Sequence, residues 1–300
     1  MGARSSNTDR NGHRSQSQNR LLDGHVANFF NSNLNAGAIG PNSKMLPGTD
    51  INASGGTTAT YISGLYTYKS HTFTANGGNT FVVNSGSGDI EYLLVAGGGG
   101  TGSAPAGGNR EGGSGAGGML TGTTPVSPGS YPLSLGAGGT GGQSGSPTQG
   151  GNSTGFSATA YGGGGGGYDD PAPSAYGRNG GSGGGAWYIL SPLGGGKGVY
   201  PGSPYVSAPR QGYDGSPGNG SPDYGGAGGG AGGAGGFGTN IGPGAVNDYR
   251  TGSNITYAAG GAANDFPSTD RTANGAVNTG NGGSGRGTGG PGIIVVRYKI

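Results

Sequence analysis

The sequence predicts a mainly β protein with little helix: a small β-sheet unit, closed by the C-terminal strand, carries an extended slab of polyglycine-II type. Three observations lead there. Glycine supplies 81 of 300 residues and proline 18, in irregular runs such as 162–167 and 225–236 that exclude the strict every-third-residue glycine of collagen. The apolar residues, only 29% of the chain, gather in a few short runs. The two strongest of these runs have strand character and bracket the glycine-rich segment, one ending at Ala96 and the other starting at Ile293.

Residues 1–20 form a polar arm in which Arg4, Arg10, Arg14 and Arg20 face the single acid Asp9. Such a composition buries too little to order itself alone, so its functional reading is docking on a larger assembly. Over 21–34, Leu22, Val26, Phe29, Phe30 and Leu34 recur at helical spacing and define one apolar face. Together these residues make a candidate anchor, and the division expected is an N-terminal arm and anchoring segment at 1–70 followed by a display domain at 71–300. Residues 35–70 read as loops with one strand near 60–68.

Strand signals then become clear. His71-Thr72-Phe73-Thr74, a turn at Gly77-Gly78 and Thr80-Phe81-Val82-Val83 read as a hairpin. A second turn at 86–89 leads into a strand at 90–96, and 293–298 supplies the closing strand, expected beside it in one sheet. Residues 130–135 read as a further strand, which Pro132 confines to a sheet edge because it has no N–H to donate.

Glycine adds no side chain to a core and loses the most backbone entropy on ordering. An ordered glycine-rich segment therefore needs another source of cohesion. Extended helices with three residues per turn and no internal hydrogen bonds approach closely when Cβ is absent, and can join N–H to C=O between neighbours, with weaker Cα–H···O contacts added. In a dry array every such group requires a partner.

The non-glycine blocks between the runs have an order of their own. Tyr92-Leu93-Leu94-Val95-Ala96 before four glycines, Gly117-Gly118-Met119-Leu120, Val126-Ser127-Pro128-Gly129-Ser130-Tyr131-Pro132, Asn152-Ser153-Thr154-Gly155-Phe156-Ser157 and the closing Gly289-Gly290-Pro291-Gly292-Ile293-Ile294-Val295-Val296-Arg297-Tyr298 resemble the glycine-rich domain proteins common in bacteriophage and marine viral genomes. The resemblance covers about 71–300. It implies a virion location and a tail fibre, tail tip or adhesin-like structural protein, present in an oligomeric or multi-copy assembly. The sequence departs from the family pattern at 259–263, where Ala-Gly-Gly-Ala-Ala replaces an unbroken glycine run, which leads us to expect an irregular slab there.

Catalytic and cofactor signatures are not what the residues suggest. Lys197 follows three glycines but precedes Gly198 and Val199 rather than Ser or Thr, so no phosphate loop is formed. The strand ending at Ala96 leads into glycines without a following helix, unlike a dinucleotide fold. The neighbours Asp169-Asp170 lack the spaced ligands of a calcium loop. There is no cysteine, the net charge is only +2 and charged residues make up 9%, which gives no electrostatic footprint for nucleic acid. The expectation is a protein without catalysis or cofactor.

Aromatic residues carry the positive signal. Tyr168, Tyr176, Trp187, Tyr188, Tyr200, Tyr205 and Tyr213 lie between glycine runs in a stretch rich in proline. Tyr and Trp offer large, stiff contact areas with few rotamers to freeze, and proline reduces the disorder of the loops that hold them. These residues are the candidate receptor-binding set, with a host surface glycan or outer-membrane protein as partner. The N-terminal segment is the candidate contact with other virion proteins. The competing expectation is a capsid decoration or head-fibre protein that covers or stabilises the shell, and the lack of heptads or shaft repeats narrows the margin between the two.

Overall fold

The computed structural model describes residues 50–102, 110–142, 146–168, 175–188, 194–220, 223–264 and 272–300. The arm and its expected helix, with Arg4, Arg10, Arg14, Arg20, Leu22, Val26, Phe29 and Phe30, lie outside the described residues, as does the pair Asp169-Asp170. The compact unit spans Asp50–Ile300. It therefore takes in residues assigned from sequence to the anchoring segment, and the boundary expected at residue 71 falls inside a strand.

Two five-stranded antiparallel sheets dominate. The first has the order β1 (Asn52–Ser54), β4 (Gly77–Ser85), β7 (Gly129–Leu135), β8 (Ser153–Gly155), β9 (Ala158–Ala160). The second runs β2 (Thr57–Ser63), β3 (Tyr66–Phe73), β14 (Ile293–Lys299), β5 (Gly88–Val95), β6 (Met119–Val126). Two small two-stranded ribbons, β10 (Asn219–Gly220) with β11 (Asp223–Tyr224) and β12 (Ala245–Asn247) with β13 (Ile255–Tyr257), complete the strands. No helix occurs among the described residues.

The closing strand is paired as expected: Ile293 lies opposite Val95 and Val296 opposite Tyr92. The expected hairpin at 71–83 does not form. β3 pairs laterally with β2 and β14, whereas β4 joins the other sheet beside β1 and β7. The turn residues mark a reversal of the chain but not the sheet that receives the next strand. His71 and Phe81 meet edge-to-face across the sandwich, with centroids 5.2 Å apart. Pro132 keeps to an edge, but only locally. β7 sits inside its sheet, yet β8 pairs with it only at Ser134, so the strand is locally an edge where the proline lies.

Alternation along the central strands explains the layers. Ile294, Val296 and Tyr298 of β14 and Ile90, Tyr92 and Leu94 of β5 join Phe81, Val83, Leu133 and Leu135 of the first sheet in one core. Ile293, Val295, Leu93 and Val95 point the other way and pack on Ala116, Tyr257 and Ala258 from the glycine-rich part. β14 is thus buried on both faces, which matches its unbroken run of β-branched residues. At the end of this second face Arg297 is buried between the rings of Tyr68 and Tyr249, 4.5 and 3.8 Å from their centroids. It reaches Glu91 at 2.9 Å and Asp248 at 3.2 Å. Burial opposes its charge, but the bonds to Glu91 and Tyr61 outweigh that and raise its pKa, so the cation pins the loop at 248–250 to the sheet.

Candidate binding surface

The glycine-rich layer is a lattice of extended segments. Gly97 and Gly100 donate backbone N–H bonds to Gly151 and Thr148, both at 3.0 Å. Gly98 and Thr101 donate to Gly290 and Gly287, and Gly99 to Gly115. Each third residue thus returns to the same neighbour. The next segment repeats the rule: Gly112, Gly115 and Gly118 address Gly167, Gly164 and Tyr161, Gly113 and Ala116 address Gly226 and Gly229, and Ser114 and Gly117 address Gly283 and Gly280. This three-residue period with all bonds made between segments is the packed polyglycine-II arrangement. Glycine is required by proximity: a Cβ at Gly98 would collide with the Asn281 carbonyl oxygen, and one at Gly113 with that of Gly261. The alanine-diluted stretch does not interrupt the lattice, contrary to expectation. Gly260, Gly261 and Ala263 still donate to Gly242, Ser114 and Gly238, because the glycines stand at the crowded positions.

Small polar side chains complete the rows. Ser114 Oγ is within hydrogen-bonding distance of the carbonyl oxygens of Gly99 and Gly283, at 2.6 and 2.9 Å. The Gln211 amide imitates a strand, its Oε1 accepting from Tyr161 N–H and its Nε2 donating to Thr159 O, both at 2.9 Å. Deep in the layer Glu111 is 1% exposed, accepts from Asn264 Nδ2 at 2.8 Å and lies 3.6 Å from Arg286.

From this layer rises a loop whose ends are tied to it. Val199 and Lys197 bond to Gly181 and Gly180, and Gln211 N–H returns to Val199 O. Inside the loop, Ser203 Oγ donates to Gly198 O at 2.7 Å and Gly202 N–H to Ser207 Oγ at 2.9 Å. Asp214 accepts from Lys197 Nζ and Gly198 N–H, each at 2.9 Å, with Tyr200 OH at 3.5 Å. The Asp214 hydrogen bond is the main reason the Lys197 pKa is raised. The Arg210 guanidinium stands over both Tyr200 and Tyr213, 4.9 and 4.3 Å from the ring centroids. Among the described residues no carboxylate pairs with it; its Nη1 donates to Gly212 O at 3.3 Å. Beside it opens a groove of about 320 Å³ lined in part by Met119, Leu120, Pro209 and Ala231.

The seven aromatic residues singled out from the sequence do not form one surface. Tyr168 is buried, its hydroxyl 2.7 Å from Ser146 Oγ. Trp187 is 7% exposed and packs edge-to-face on Tyr188 at 4.6 Å, so it belongs to the packing of the layer. Tyr188 is half-buried under Arg110, 4.0 Å from the ring centroid. Tyr176 is exposed, and Tyr200, Tyr205 and Tyr213 are half-buried. Tyr200 and Tyr213 are brought together by Arg210, which sequence reasoning missed. The signal was a lone cation after Pro209 between two tyrosines, but nothing in the sequence says that both rings stack on it.

Fold and surface together define a β-sandwich protein with a backbone-bonded glycine layer that supports latched loops. The chain belongs to the glycine-rich domain family, whose model matches residues 72–299. That match starts within β3, so β1 and β2 precede it while completing the two sheets. A comparison with curated proteins gives no match.

Proposed function

We propose that this protein is a structural component of a bacteriophage particle, a tail fibre or tip adhesin that acts by binding a host surface rather than by catalysis. The observation that carries this reading is the latched loop at 198–214. Its Tyr200–Arg210–Tyr213 stack presents stiff aromatic area and a cation that no carboxylate pairs among the described residues, all from a rigid support. Such pre-organisation lowers the entropic cost of contact. A glycan, recognised by ring faces and guanidinium N–H groups, or an outer-membrane protein loop suits it as partner. Contact with other virion proteins is assigned to residues 1–49, with their arginines and apolar stripe.

The test is a particle carrying Tyr200→Ala, Arg210→Ala and Tyr213→Ala together. Incorporation is expected to stay normal and attachment to host cells to fall. Trp187 is left intact because its truncation would test packing instead. The lack of shaft repeats in the sequence favours a second reading, capsid decoration. Unchanged attachment by the triple variant, with loss of shell stability when the whole protein is deleted, would replace the adhesin reading with that one.

A further inference from the structure

The two sheets have four edge strands, and three of them are protected. β1 and β9 are three residues each, and β6 carries Gly122 and Pro125. Short edges and proline are the usual means by which edges avoid pairing with other chains. β2 has neither. Its seven residues, Thr-Thr-Ala-Thr-Tyr-Ile-Ser, contain no charge, no proline and no glycine, and among the described residues no other segment bonds to its outer edge. At the end of this strand the chain exposes a group of large apolar side chains: Ile62 at 75%, Leu65 at 97% and Tyr66 at 53%, with Ile300 at 55%. Ile300 N–H bonds to Thr67 O, which places the C-terminal residue beside the same β2–β3 tip.

We propose that β2 pairs antiparallel with β2 of a second copy, giving a two-fold dimer in which the second sheets of both copies run on as one. The strand is complementary to itself. With Thr60 on the two-fold axis, Thr58 lies opposite Ile62 of the second copy, a β-branched pair, and Ala59 lies opposite Tyr61, small against large. The register with β3 puts Thr58, Thr60 and Ile62 on one face and Ala59 and Tyr61 on the other, so both rows continue across the axis. Cross-strand pairs of these types stabilise sheets, and an isologous contact closes on itself. Absence of charge on the strand means that no like-charge contact opposes the pairing.

The proposal stands apart from the phage reading and is tested on the full chain by analytical ultracentrifugation across a concentration series. The wild type is expected to show a reversible monomer–dimer equilibrium. Thr60 is exposed and lies opposite Lys69 of β3, so Thr60→Glu is expected to keep or slightly raise the wild-type unfolding midpoint and Thr60→Lys to lower it slightly. Each sets like charges together on the axis and should weaken the dimer about ten-fold or more. An equimolar mixture of the two should recover association as a heterodimer. A wild type that stays monomeric throughout, single variants that dimerise as well as the wild type, or a mixture that does not recover association would each overturn the proposal.

Discussion

Alanine at Gly98 is the sharpest test of a protein held together by backbone contact. The new methyl would meet the carbonyl oxygen of Asn281 and, beyond it, that of Gly280. The Asn281 oxygen has no room to retreat, because it accepts the Gly290 N–H at 2.8 Å. Gly98 is equally fixed: its N–H donates to Gly290 O at 2.9 Å and its carbonyl accepts from Gly139 at 2.8 Å. Overpacking of a rigid interior costs about 1–3 kcal/mol, and each backbone bond strained out of geometry about 1 kcal/mol net. We therefore expect Gly98→Ala to lose about 4 kcal/mol, a large part of the 5–15 kcal/mol typical of a folded domain. For a unit of this size that lowers Tm by about 8–16 °C. The control is Gly194→Ala, where a Cβ meets nothing within 4 Å and φ is ordinary. That change should be neutral or stabilise by about 0.4–1 kcal/mol through the unfolded state. Thermal and urea unfolding of the two variants supply the comparison. Equal midpoints for Gly98→Ala and Gly194→Ala would refute the argument that close backbone approach holds the layer together.

Three further outcomes follow from the same geometry. His71 is buried in the sandwich with Nδ1 2.7 Å from Gly55 O and Nε2 3.2 Å from Tyr298 OH, and burial, with Lys69 adding to it, lowers its pKa against the opposing Gly55 bond. The unfolded chain therefore takes up the proton first; the His71 contribution is complete above the ordinary value of about 6.5 and is lost as pH falls from there toward the lower folded pKa. Urea unfolding as a function of pH should show this slope in the wild type and a flatter one in His71→Gln. Glu111→Ala removes the acceptor of the Asn264 Nδ2 bond and the carboxylate 3.6 Å from Arg286, so it should cost about 1–3 kcal/mol by chemical denaturation. In the tight turn between β8 and β9, Phe156 and Ser157 have φ of 53° and 60°. The phenylalanine is held by stacking on Tyr92 at 5.3 Å, but Ser157 is exposed, and Ser157→Gly should raise stability by about 1 kcal/mol, read as an upward shift in Tm.

How much of this was legible in the sequence varies by element. Short apolar runs at 90–96 and 293–298 announce strands, while the burial of Ile293-Ile294-Val295-Val296 on both faces is set by the layers that cover them. The glycine runs announce a layer without side-chain packing. Composition and local pattern thus determined the class of fold, the closing partnership of β14 with β5 and the need for bonds between glycine segments. Partners distant in the chain decided the rest. Whether β3 pairs with β4 or faces it across a core depends on which sheet has a free edge after the crossing at 74–76, and no local signal records that. Which glycines are indispensable depends on whose carbonyl lies opposite: Gly98 is pressed on Asn281 while Gly194 faces open space, although both belong to runs that look alike. The same holds for the aromatic residues. Trp187 and Tyr200 read alike between glycine and proline, yet one is packed into the layer and the other is stacked on Arg210 in a loop. Burial and hydrogen bonding are properties of neighbours brought together by long-range folding, and the sequence specifies them only through the assembled whole.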